Sequence, residues 1–165
     1  MGIFWLVAVL VSFTINYYGA VHQRTMLAFS TARSIFWQIV VTRKWNALHG
    51  GLYSYVTDSN QPNPYLTVAD RDLQLDDGRV LTKINPAYMT RQISEIASQS
   101  SGIQFHITSL KPIRPDNSAT PLESNYLHQF EKGLSEGGEF RQENGQATFF
   151  YMAPLQTERP CLQCH

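Results

Sequence analysis

The sequence predicts an α+β fold in which one long N-terminal helix precedes an antiparallel sheet flanked by shorter helices. Three observations predict it. The opening is apolar and uncharged and runs into an uninterrupted helical pattern; the hydrophobic period shortens from 3.6 towards 2 at Gly50-Gly51; and two hairpin signals, Asp77-Gly78 and Asn144-Gly145, lie far apart in the chain.

The first 21 residues, MGIFWLVAVLVSFTINYYGAV, hold 16 apolar residues and no charge, which is about the length of helix that crosses bilayer hydrocarbon. Trp5 and Tyr17-Tyr18 sit near its ends, as interfacial aromatics do. A cleaved signal peptide would carry a basic start and a small-x-small site, and neither is present. Residues 1–21 are therefore expected to be a transmembrane anchor. Residues 22–48 continue as a juxtamembrane helix, with Phe29, Ala32, Phe36, Ile39, Val40 and Ala47 at helical spacing. Gly50-Gly51 caps it and leaves His49 at the hinge.

Beyond that hinge, LYSYV at 52–56 reads as a strand, QPNPY at 61–65 as a loop, and LQL with RVL as a hairpin around Asp77-Gly78. Asn85-Pro86 opens a helix whose face is Met89, Ile93 and Ile96 and whose end is Gly102. IQFHITSL at 103–110 alternates, which predicts a strand with Ile103, Phe105 and Ile107 on one side. A proline-rich loop follows. Thr120 and Glu123 form a capping box ahead of a stripe of Leu122, Tyr126, Leu127, Phe130 and Leu134. The second hairpin spans 139–141 and 147–153.

Thirteen basic residues balance thirteen acidic ones, so no electrostatic footprint for nucleic acid exists. No Ser-His-Asp grouping, paired-carboxylate motif or phosphate-binding glycine loop stands out, and the chain is not expected to be an enzyme.

The chemistry concentrates in the last five residues, CLQCH. The chain has two cysteines, Cys161 and Cys164, and His165 follows the second; two cysteines placed at random fall three apart in about 1 placement in 80. This spacing suits haem c: two thiols add across the two vinyl groups and the adjacent imidazole reaches the iron. A thioredoxin-like couple would want the first thiol at a helix N-terminus after a strand. Half a zinc site lacks a second pair of ligands, and a disulfide closing so short a loop constrains the unfolded chain little.

Taken with RKWNALHGGLYSYV at 43–56, PNPYL at 62–66, LTKINPAYMTRQISEIA at 81–97, FHITSLKPIRPDN at 105–117 and FFYMAPL at 149–155, this motif resembles a known family. It is the c-type haem sensor domain of PAS-like fold that bacteria place outside the inner membrane, alone or ahead of histidine kinase and cyclase output domains. The resemblance covers about residues 33–165. It implies a PAS-like domain over 49–165, a single-pass inner-membrane protein with that domain in the periplasm, covalently bound haem, and a response to redox state or a diatomic gas. A downstream signalling domain or protein and a homodimer are the expected partners. Members usually continue past the motif with a glycine-rich closing strand, so the expectation is either that the sequence is a fragment or that the sheet is one strand short. Arg24, Arg33, Arg43 and Lys44 oppose this orientation, because basic residues usually flank the cytoplasmic side.

His165 is then the proximal iron ligand. For the sixth position His49 comes first, since a histidine beside two glycines can approach a flat ring closely; a helix-capping role is the competing account. His106, Met89, Met152 or an open site remain, and His128 is expected at the surface. Trp37, Trp45, Tyr53 and Tyr88 are expected to be core packing rather than pocket lining. Arg91 and Arg114 are expected to be surface residues, with pairing to haem propionates the alternative. Two other functions stay open: a small electron-transfer cytochrome c anchored in the membrane, and a thiol-disulfide oxidoreductase using Cys161 and Cys164.

Overall fold

The protein is described here by a computed structural model covering residues 1–143 and 145–156. The two expected N-terminal segments are one helix, α1, Gly2–Leu48, about 70 Å long at 1.5 Å per residue. It is long and apolar enough to cross a membrane, and none of its apolar window is buried within the protein. Only its last turn is fully covered, at Asn46 and Ala47. The helix ends in a Schellman motif: the Gly50 N–H donates to Ala47 O and the Gly51 N–H to Asn46 O, each 3.0 Å. Gly50 and Gly51 have φ of 71° and 94°, which is why the two residues are glycine.

Strands β1 (Leu52–Tyr55), β2 (Asp72–Gln74) and β3 (Val80–Ile84) form an antiparallel sheet in the order β1-β3-β2. The Asp77-Gly78 turn sets the register Gln74 opposite Val80. Helix α2 (Pro86–Ser101) follows at once, its Asn85 cap accepting the Tyr88 N–H and its Gly102 stop left-handed at φ 69°. Helix α3 (Pro121–Glu131) begins with the predicted capping box. Strands β4 (Gly137–Glu143) and β5 (Gln146–Met152) pair as a separate two-stranded hairpin. The architecture is thus mixed helix and antiparallel sheet. Its centre lies where the end of α1 meets β3 and α2: Asn46, Ala47, Thr82, Ile84 and Tyr88 are buried there, and Leu66 is 1% exposed.

Three expectations fail. Residues 103–110 form no strand. Their backbone groups pair with side chains and a loop instead: Ser94 Oγ takes the Phe105 N–H and donates back to Phe105 O, both 2.9 Å, while Ser109 makes an isolated parallel bridge to Ser118. The apolar stripe of α3 stops at Phe130, because Gly133 at φ 100° turns the chain before Leu134, which is exposed. Trp37, Trp45 and Tyr53 are not core residues; the tryptophans stand 56% and 50% exposed on α1, and Tyr53 is 37% exposed on β1.

Candidate functional site

Cys161, Cys164 and His165 lie outside the described residues, so the site is built here from what surrounds the approach to them. The chain reaches that segment through β5, and β5 is fastened along α1. Phe140 lies under the Arg24 guanidinium at 4.3 Å, its partner Phe149 meets Phe29 at 6.1 Å, and Tyr151 meets Phe29 and Phe36 at 5.3 and 5.8 Å. The contacts advance along the helix as the strand advances, so β5 points towards the C-terminal end of α1, where His49 stands.

An acid–base triad locks that direction. Arg33 Nε donates to Glu136 Oε2 at 2.8 Å, and the Tyr151 hydroxyl donates to the same oxygen at 2.6 Å. The Arg33 hydrogen bond, then that of Tyr151, holds the Glu136 carboxyl below its ordinary range. Burial and the neighbouring Glu136 carboxylate push the Tyr151 phenol up, so it stays a donor. No periodicity in the sequence announces this triad, because its members lie 103 and 15 residues apart.

His49 occupies the cap of α1, exposed, with its ring 4.5 Å from the Trp45 indole. Its Nδ1 lies 2.7 Å from Trp45 O. A carbonyl oxygen can only accept, so Nδ1 carries the hydrogen and the lone pair sits on Nε2. Nε2 has no partner among the described residues. Imidazoles that bind metals carry this arrangement, one nitrogen donating to a carbonyl and the other presented. The capping account also holds, since the hydrogen bond that orients the ring is the one that caps the helix; the two roles use different nitrogens.

His106 and Met89 are engaged elsewhere. His106 has Nδ1 2.6 Å from Glu123 Oε1 and Nε2 3.1 Å from Asp116 O, so both nitrogens are spent clamping the 103–110 segment to α3 and to the turn at Pro115–Asn117. Burial alone would raise the Glu123 carboxyl, but the Thr120 N–H and His106 outweigh it and keep the pKa low. Met89 Sδ lies 3.4 Å from Asn46 Nδ2 in the packed junction, and Met152 is half-buried on β5. His128 is exposed and faces Glu131 at 3.2 Å, as expected. Tyr88 is buried and donates to Gln61 O at 2.5 Å; the Tyr53 hydroxyl donates to Asp70 O at 2.5 Å. Arg114 pairs with Asp116 at 2.6 Å, and Arg91 lies over the Tyr88 ring at 4.4 Å. No group of three or more His, Cys, Asp or Glu side chains suited to a metal ion occurs among the described residues.

Two further residues at the α1 junction escaped the sequence reading. Asn46 is fully buried, its Nδ2 donating to Ile84 O at 3.0 Å, while its Oδ1 has no partner. Arg43 donates to Pro86 O and Thr90 Oγ1 at 3.0 and 2.9 Å. Asn46 thus ties the helix turn that carries His49 to the end of β3, and Arg43 ties it to the start of α2.

Comparison with known proteins adds one finding. The family model described as Tll0287-like matches residues 21–165. No curated protein and no solved structure matches the chain.

Proposed function

We propose that this chain, which belongs to the Tll0287-like family, is a membrane-anchored sensor module that carries haem c and reports redox state or a diatomic gas on the periplasmic side of a bacterial inner membrane. The observation that carries the reading is the CLQCH motif, which follows in sequence nine residues after β5, a strand that runs along α1 in the direction of His49. Thioether links through Cys161 and Cys164 with His165 as proximal ligand would leave one iron position, and His49 Nε2 is the donor free to take it. The chain can span the gap. From Phe36 to His49 is about 20 Å of helix, and the ten residues from Tyr151 to Cys161 reach up to about 35 Å when extended.

Bound haem supplies an iron whose potential and affinity for gases depend on its axial ligands. The protein's part is to make that ligation matter to the membrane helix. His49 is continuous with α1, and the turn before it is bonded to α2 through Arg43 and to the end of β3 through Asn46. Gain or loss of a His49–iron bond therefore favours one placement of the α1 end over another. A ligand shifts such an equilibrium only through differential interaction with the two states. A PAS-like domain at 49–165, a downstream signalling partner and the absence of enzymatic activity belong to the same proposal.

The test is a pyridine haemochrome spectrum of chain made with cytochrome c maturation factors, beside His49→Ala. A c-type spectrum with two thioether links, and a Soret band and potential that move in the variant, support the reading. An unchanged spectrum and potential in His49→Ala remove His49. Colourless protein with a reducible Cys161–Cys164 bond selects the oxidoreductase, and a high potential with fast partner exchange selects the electron-transfer cytochrome.

A further inference from the structure

The β4–β5 hairpin lies alongside α1, and its turn points back towards the apolar segment. Three contacts fix its height on the helix: Glu136, just ahead of β4, bonds to Arg33, Phe140 lies under the Arg24 guanidinium, and Phe149 meets Phe29. From Glu136 to Phe140 the extended chain rises about 13 Å, and from Arg33 to Arg24 the helix covers about the same length. Strand and helix therefore run side by side, so positions on one can be measured against the other. Glu143 and Gln146, the pair next to the turn, stand three residues beyond Phe140 and Phe149. Three residues of strand are about 10 Å, the length of about seven residues of helix. Counted back from Arg24 and from Phe29, the hairpin tip stands level with α1 between Tyr17 and His22.

That is where the apolar segment ends. Tyr17 and Tyr18 mark the boundary between hydrocarbon and water, and the headgroup layer beyond it is about 5–7 Å deep. The tip has the composition that layer accepts. Arg141, Gln142, Glu143, Gly145, Gln146 and Ala147 are all exposed, and none carries a large apolar side chain. The bulky rings, Phe140 and Phe149, stand further from the membrane, against Arg24 and Phe29. The charge also fits. No acidic residue occurs in α1, and Arg24 is exposed at the side where the hairpin lies. Phe140 holds the flat face of the Arg24 guanidinium, which leaves N–H groups at its edge for an anion.

We propose that the tip of the β4–β5 hairpin rests in the phospholipid headgroup layer of the membrane that α1 crosses, with Arg24 and Arg141 donating to lipid phosphate. A guanidinium presents paired N–H groups that match phosphate oxygens. The tip is too polar to enter hydrocarbon and stands too near it to be surrounded by bulk water. The hairpin thus has two supports, α1 along its side and the bilayer surface at its end. A change in the tilt of α1 would press β5 against that surface or draw it away. The inference rests on the membrane anchor of the preceding reading and needs neither haem nor a choice of membrane side.

Full-length chain in vesicles of phosphatidylethanolamine and phosphatidylglycerol tests it, with a fluorescent label on Gln142→Cys or Asp58→Cys and the signal taken beyond that of the labelled parent. Asp58 is the distant control. Gly51 hydrogen-bonds to Asn46, about 40 Å of helix beyond Tyr18, and the seven residues onward to Asp58 reach back at most about 25 Å. A nitroxide on the lipid headgroup should quench the label at 142 several-fold more than the label at 58. Arg141→Glu, which sets a carboxylate against phosphate, should lower the quenching at 142. Equal quenching at the two positions, in chain that alkaline carbonate leaves in the vesicles, overturns the inference and spares the anchor. Chain washed off by carbonate removes the anchor and the inference with it. Stronger quenching at 142 by a nitroxide deep in the acyl chains also overturns it, and an unchanged value in Arg141→Glu removes Arg141 from the contact.

Discussion

The hairpins β2–β3 and β4–β5 are written in the same local code. Each carries an Asx-Gly pair in its sequence, and Gly78 and Gly145 take φ of 84° and 80°, the left-handed region such turns need. Their surroundings differ completely. β3 is the middle strand of three, and its Thr82, Lys83 and Ile84 are buried. No described residue of β4 or β5 is buried; that hairpin is held against α1 by Phe149 and Tyr151 rings and by the Arg33–Glu136–Tyr151 triad. The difference teaches that a turn signal specifies a hairpin but not the force that keeps it in place. One hairpin is stabilised by exclusion of water, the other by specific contacts to the helix it is proposed to report to.

The largest test of the contrast is Ile84→Ala. Removing a buried side chain from β3 should cost about 2–5 kcal/mol, read as a lower denaturant midpoint with every probe moving together. Loss of protection confined to β4–β5 would break the comparison. Glu136→Gln is the smaller counterpart. Arg33 is 47% exposed, so screening limits the effect: amide exchange should quicken a few-fold in 137–143 and 146–152, with β1–β3 amides and the thermal midpoint little changed.

The smallest effect is on pH. Glu136 has a depressed pKa in the folded chain, so its contribution is present above the unfolded value, about 4.3, and is lost as pH falls through the folded one. Protection factors in β4–β5, which correct for the slowing of intrinsic exchange in acid, should therefore fall as pH drops, and Glu136→Gln should flatten that dependence. Asp72, held low by Arg71 and then Thr82, gives the three-stranded sheet its own acid sensitivity. That component should survive in Glu136→Gln.

Elements announced by neighbours in sequence came out as read. The Schellman end of α1, the Asn85 and Thr120 caps and both hairpins rest on residues within six positions of one another. The 103–110 strand did not, because alternation describes a strand only if another strand supplies the ladder, and here Ser94, Asn117 and Ala119 take those backbone groups. Of the candidate site, the motif at 161–165 was plain in the residues, and so was His49 beside two glycines. Which nitrogen His49 leaves free, and that His106 has none to spare, depended on Trp45, Glu123 and Asp116 as spatial neighbours.

The sequence by itself determined the helix long enough to cross a membrane, the turns and caps, and the clustering of both thiols with a histidine, since each follows from chemistry between adjacent residues. Tertiary structure alone decided that Trp37 and Trp45 face outward, that Asn46 lies buried, and that β5 runs up α1 towards His49. Those outcomes come from contacts between residues far apart in the chain, where burial and partner choice are settled only once the elements have packed.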